Sequence, residues 1–275
     1  MNRRNFITYA SILGGSTMLQ GCSTLSSKNK GNARRKSTSR EMNADVIIIG
    51  GGMGGVAAAL ASCRNGMSVI MTEETEWIGG QVSQQGVPPD EHPWIETHGA
   101  PASYREYRNR IRDYYRRNYP LTEEARHLPN LNPGNGSVSR LCHEPRVAVT
   151  VMTDMLTPYL SNGKLLLLTM HKAKSAVVSN DNVQAIEVVN LYTGDRVVLS
   201  GNSFVDATEC GDLLPLTGTE YITGTESKGD TRELHAPEKG DPMNNQAFTV
   251  CFAMDYQPGV DNVQDPPKEY TFWKN

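Results

Sequence analysis

"ADVIIIGGGMGG", Ala44 to Gly55, sets an apolar, mostly β-branched run, Val46 to Ile49, directly against a cluster of glycines. Apolar residues in an unbroken run, without polar alternation, suit a strand buried on both faces of a parallel sheet. Gly50, Gly52 and Gly55 then form G-x-G-x-x-G, with Gly54 inside it. In this spacing the first glycine permits a tight turn and the second lets backbone approach a diphosphate. The third allows close packing of helix on strand. "VAAALASCR", Val56 to Arg64, is a strong helix former whose N-terminus would present free N–H groups to an anion. Asn65-Gly66 stops that helix, and "SVIMT", Ser68 to Thr72, reads as a second strand. Glu73 lies at the strand's end, eighteen residues after Gly55. An acid there can accept the ribose hydroxyls of an adenosine, and Glu in place of a nearby Arg argues against a 2′-phosphate. Strand, glycines, helix, strand and acid in this order predict a dinucleotide-binding α/β domain.

Three later stretches narrow the cofactor. They are "EWIGGQ", Glu76 to Gln81; "NGSVSRLCHEPRVAVTVM", Asn135 to Met152, leading into an amphipathic helix; and "FVDATECGDLLPLTG", Phe204 to Gly218, read as a buried strand ending in small and acidic residues. Together with the glycine fingerprint they resemble the FAD-dependent oxidoreductases of the glutathione-reductase-like superfamily, over Asp45 to Gly218. The resemblance implies an α/β fold, a doubly wound parallel sheet forming a Rossmann-like FAD domain, with a small antiparallel β insertion at about 164–200. It implies that Gly50, Gly52, Gly54, Gly55 and Glu73 hold the ADP half of FAD. Gly79, Gly80 and Gln81 would lie near the diphosphate and ribityl chain, and Asp206, Gly211 and Asp212 where the chain returns to the cofactor domain. The pattern of the intervening residues agrees. Lys164–Thr169, Ser175–Val178, Val183–Asn190 and Arg196–Leu199 read as short strands separated by "NDN" and "TGD" turns. Two alternatives stay open: an NAD-binding domain, and a non-catalytic surface lipoprotein that retains a nucleotide-binding fold. In the superfamily a second glycine–acid segment close to the C-terminus usually completes the flavin site, and after Gly218 no Gly-Asp motif followed by a helix pattern is read. "AFTVCFAMDY", Ala247 to Tyr256, reads as one strand opening a substrate domain, so 219–275 is taken as the incomplete start of one.

The first residues carry a different message. "NRRNFI" puts Arg3 and Arg4 before a weakly apolar stretch, Phe6 to Leu19, that ends at "LQGC", Leu19 to Cys22. This resembles a twin-arginine export signal joined to a lipoprotein cleavage box. It implies an export signal over 1–21, lipidation of Cys22, and a protein held by lipid at a membrane in the periplasm or on the outer surface. "KNKGNARRKSTSR", Lys28 to Arg40, has no large apolar residue and reads as part of a basic flexible tether, 22–43, ahead of the FAD domain at 44–218.

The bulk composition excludes more than it selects. With 27 Lys+Arg against 30 Asp+Glu among 275 residues the net charge is −3, which suits neither a nucleic-acid binder nor a membrane-coating protein. The expected partners are a small-molecule substrate, an electron acceptor and, through the lipid, a membrane. No C-x-x-C occurs among the five cysteines, so zinc and iron–sulfur readings lose their usual spacing, and buried free thiols are expected. In "CHE", Cys142 to Glu144, adjacent side chains rarely face one another, so a packing role is favoured over a nucleophile–base pair. Asp90, Glu91, His92, Glu96 and His98 fall in a Pro-containing stretch with no ordered metal spacing, so no metal is expected. "SYREYRNRIRDYYRRNY", Ser103 to Tyr119, predicts an amphipathic helix that packs Tyr104, Tyr107, Ile111 and Tyr115 while its arginines stay in water or pair with acids. No catalytic acid or base is legible.

Overall fold

The computed structural model describes residues 40–252 and 254–274. The export signal and Cys22 lie outside the described residues. One six-stranded sheet carries the fold, in the order β3-β2-β1-β6-β5-β4. β1 (Arg40–Ile49) pairs in parallel with β2 (Val69–Glu73) and with β6 (Arg196–Asp206), and β2 with β3 (Leu165–Thr169). β4 (His171–Ser179) and β5 (Asn182–Asn190) extend the sheet antiparallel from β6. The α/β, Rossmann-like class expected from the sequence is the architecture found.

The apolar run of β1 is buried on both sides, as its lack of alternation requires. Val46 and Ile48 face one layer with Met71 of β2, against α1 (Met53–Arg64), α2 (Ala102–Asn118) and, after the short α3 (Glu123–His127), α4 (Pro145–Ser161). Ile47 and Ile49 face the other way with Ile70, against Ile186 and Val188 of β5, Leu199 of β6 and Leu213 at the start of the short helix α5 (Leu213–Thr217). Helices therefore cover one face, and the returning antiparallel strands with α5 cover the other. Each fully buried Ile or Leu of these layers contributes roughly 1.5–3 kcal/mol relative to exposure.

Five local expectations are corrected. β1 starts at Arg40, inside the segment read as tether, because Arg40 to Asn43 pair with Val197 to Ser200 although they are not an apolar run. Lys164–Thr169 belongs not to the antiparallel insertion but, as β3, to the parallel edge, with Leu165 opposite Val69. Arg196–Leu199 and Phe204–Asp206 are one strand, β6, whose first half pairs with both β5 and β1, so insertion and core share one sheet. The Phe204–Asp206 end is only partly buried, with Asp206 exposed, because the apolar cover thins there. Ala247–Tyr256, finally, forms no strand among its described residues, and Phe248, Val250 and Phe252 are 75–89% exposed with no strand beside them to pair with.

Of the described cysteines all are free. Cys63 and Cys142 are buried as expected, whereas Cys210 and Cys251 are exposed. Among the described residues no helix is long and apolar enough to cross a membrane.

Candidate dinucleotide site

In the turn from β1 into α1, Gly50 and Gly55 are crowded by backbone and Gly51 by the Glu73 side chain, while Gly52 and Gly54 are more open. A side chain on Gly50, at φ +101°, would reach 2.1 Å from the Ala207 carbonyl oxygen, and one on Gly55 would reach 2.1 Å from that of Gly50. These two are needed to let the helix press against the strands. Gly54 has nothing within 4 Å of the equivalent position, and Gly52 only the Glu209 carboxylate at 3.1 Å. The start of α1 has no side-chain cap and no acid in its first turn, so its early N–H groups and positive dipole end stay available to an anion. A second loop closes on the first: the Gly79 N–H donates to the Gly51 carbonyl at 2.8 Å, and Gly52 and Gly79 form a parallel bridge. Gly79 sits at φ +113° and Gly80 at φ +53°, a region that favours glycine.

Glu73 is 5% exposed at the end of β2. Its Oε2 accepts the Gly51 N–H at 2.9 Å, and its Oε1 accepts the Thr75 N–H and hydroxyl, each at 2.8 Å. A carboxylate has about four acceptor positions, so three are in use and roughly one is left for a ribose hydroxyl. Glu73 thus shapes the glycine turn as well as lining a narrow recess of about 30 Å³ with Gly50, Gln84, His171, Lys172 and Asp212. Lys172 donates to Glu74 at 2.8 Å across its rim.

On the other side of the glycine turn opens a larger cleft of about 680 Å³. Gly52, at the N-cap of α1, and Met53, Gly54 and Val56 within it line the cleft, with Tyr104 and Tyr107 from α2, Met152 and Met155 from α4, and Gln81 and Pro89 from the stretch between β2 and α2. That volume is in the range of pockets that enclose small molecules. Ala207, Thr208 and Glu209, in the loop after β6, border cleft and recess alike.

The tyrosine wall is braced from behind. Tyr104 donates to Glu91 at 2.6 Å. Arg108 pairs with both Glu91 and Glu96, and Arg112 with Glu96 at 2.6 Å, while the Arg112 Nε–H donates to the Leu131 carbonyl at 2.9 Å. Arg108 and Arg112 are buried, not solvated, and they lock the Pro-containing stretch onto α2. Burial pushes the Glu96 carboxyl up, but the hydrogen bond and charge of Arg112, with those of Arg108, outweigh it and hold the group below its ordinary value. Burial and the Glu91 hydrogen bond push the Tyr104 phenol up, and burial pushes Tyr107 up as well. Tyr107 and His143 Nε2 lie 3.2 Å apart, and burial lowers the His143 imidazole, favouring its neutral form.

The sequence-selected residues fall into three groups. Gly52, Gly54 and Gln81 line the cleft, and Gly50, Glu73 and Asp212 line the recess. Gly55, Gly79 and Gly80 build the junction between them. Asp206 and Gly211 line neither. Asp206 holds its own loop, its Oδ1 accepting from Thr208 and its Oδ2 from the Leu213 N–H at 2.9 Å, and Gly211 supplies a turn at φ +69°. Cys142 and His143 have separate partners: the thiol approaches the Ser139 carbonyl at 3.5 Å while the imidazole meets Tyr107. Among the described residues no group of three or more His, Cys, Asp or Glu side chains is placed to hold a metal ion. Sequence reasoning passed over Glu209 and Lys172. Nothing in their spacing marks them, since each reaches the site through the pairing of distant strands.

A turn with open glycines, an uncapped helix N-terminus and a buried acid retaining an acceptor position fit the ADP half of a dinucleotide, and this defines a Rossmann-like nucleotide-binding protein. The model of the FAD dependent oxidoreductase family matches residues 45–274, so the chain belongs to that family, and FAD is its cofactor. The match continues past Gly218, through the segment in which no further motif was legible. No curated protein matches the sequence. Among solved structures, L-proline dehydrogenase from P. horikoshii is similar at 16% identity and a TM-score of 0.35, covering 62% of this chain and 23% of that one. A myxobacterial FAD-dependent halogenase, of chondrochloren, is similar at 15% identity and a TM-score of 0.40, covering 60% of this chain and 37% of that one. The chain thus spans well under half the length of these structures.

Proposed function

We propose that this chain forms the FAD-holding part of an exported, lipid-anchored flavin-dependent oxidoreductase acting on a small organic molecule. The observation that carries the reading is that Glu73, the glycine turn and the 680 Å³ cleft are neighbours at the ends of the parallel strands, with Ala207, Thr208 and Glu209 bordering cleft and recess alike. In this reading Glu73 accepts a ribose hydroxyl, and the first turn of α1 with Gly52 and Gly54 faces the diphosphate. Gln81 and the Tyr104–Tyr107 wall border the space beyond it. Bound there, FAD would supply two-electron redox chemistry toward the substrate, and the chain would supply binding, orientation and exclusion of water. Export and anchoring rest on the resemblance of residues 1–22 to a twin-arginine lipoprotein signal.

The test is the visible spectrum of the purified full chain, with the chromophore released by denaturation and identified. One FAD per chain is the expected result. Cooperatively folded protein that stays colourless after incubation with excess FAD would overturn the reading in favour of a non-catalytic binding module, and released NAD would replace the cofactor.

A further inference from the structure

We infer that Glu209 is a movable gate across the FAD site, a tethered carboxylate that holds the diphosphate position until the cofactor displaces it. The inference rests on the FAD reading above. Glu209 Oε1 lies 3.1 Å from where a side chain on Gly52 would start and 2.6 Å from the same point on Gly80. It therefore fills the space that both glycines leave open. The residue also borders the narrow recess at Glu73 and the large cleft beside α1, so it stands between the two compartments. An extended dinucleotide with its ribose at Glu73 and its remaining half in the cleft has to pass through this point.

Nothing fixes Glu209 there. It is exposed, and among the described residues it makes no hydrogen bond or ion pair. Rotation of its side chain therefore breaks no hydrogen bond. Two consequences follow from its charge and its volume. A carboxylate repels an incoming diphosphate, and its bulk closes the passage above Gly52 and Gly80. Acids already crowd this region, with Glu73, Glu74 and Asp212 on the recess side and Lys172 as the cation among the recess-lining residues, itself paired with Glu74.

The experiment measures equilibrium affinity and association rate for FAD and for ADP, with adenosine as the probe lacking phosphates, on the full chain. Wild type is compared with Glu209→Gln, which removes charge at nearly constant volume, and Glu209→Ala, which removes both. The expected result is tighter and faster ADP and FAD binding by about fivefold in Glu209→Gln, the order set by one like-charge contact near the surface. Glu209→Ala is expected to gain more, and adenosine binding is expected to stay as in wild type. Unchanged or weaker ADP and FAD binding in both variants overturns the gate while leaving the FAD reading intact. An equal gain for adenosine overturns it too, since the effect would then not lie at the diphosphate. Wild-type protein that takes up neither FAD nor ADP overturns the gate and the functional reading together.

Discussion

At the scale of single residues, the glycines of one motif separate by what surrounds them. Gly55 is closed in by the Gly50 carbonyl oxygen, so Gly55→Ala should destabilise the fold by about 3 kcal/mol through forced displacement of backbone. Gly54 lies within α1 with open space on its Cβ side, so Gly54→Ala should stabilise the cofactor-free chain by roughly 0.5–1 kcal/mol. The same substitution places a methyl group on the surface facing the cleft, so FAD affinity should fall while stability rises. Denaturant melts paired with FAD titrations check both signs. A parallel loss of stability and affinity in Gly54→Ala would refute the separation. The motif's spacing assigns Gly50, Gly52 and Gly55 separate roles and gives Gly54 none of its own. The contacts that separate Gly55 from Gly54, the Gly50 carbonyl oxygen on one side and empty space on the other, come only from the folded chain.

At the scale of elements, the stretch from Asp90 to His98 is held by buried charge. Glu96 bridges Arg108 and Arg112, both of α2, and both side chains are almost wholly buried. Because the folded-state value of Glu96 is depressed, its stabilising contribution is present above the ordinary glutamate value and is lost as pH falls through the folded one. Stability should therefore decline from about pH 4.3 downward, and Glu96→Gln should flatten that decline and cost about 3 kcal/mol near neutrality by leaving arginine charge uncompensated. Thermal melts of both proteins between pH 3 and 7 test this, and identical pH slopes would exclude Glu96 as the source. The amphipathic helix itself was legible, since Tyr107, Ile111 and Tyr115 follow its period and all are buried. The burial of Arg108 and Arg112 was not, because helical periodicity places a side chain on a face without showing that acids from a separate loop will meet it. Strand positions show the same division. β1 and β2 were readable from unbroken apolar runs, while the start of β1 at Arg40 and the parallel placement of β3 depend on partners far along the chain.

At the scale of the whole molecule, the buried core ends at Leu213. From residue 219 to 274 no described residue is buried, and Phe248, Val250, Phe252 and Trp273 are largely exposed. The family match nevertheless includes this segment, so its sequence retains the family pattern without a core of its own. Location belongs to the same scale. If residues 1–22 act as the lipoprotein signal they resemble, Cys22→Ser should shift the protein from the membrane fraction to the soluble fraction of producing cells, with FAD content unchanged. Fractionation followed by immunoblotting reads this out, and a variant that stays in the membrane fraction would sink the lipid anchor. The central pairing of the sheet has a temporal side as well. β1 is complete at Ile49, but its neighbour β6 ends at Asp206, and Asn43 bonds to Ser200 across 157 positions of sequence. On a ribosome adding about 5–20 residues per second, the first strand waits roughly 8–30 s for that neighbour. Until then one edge of the glycine-bearing strand is open to mispairing, and the nucleotide turn is among the last parts of the molecule to close.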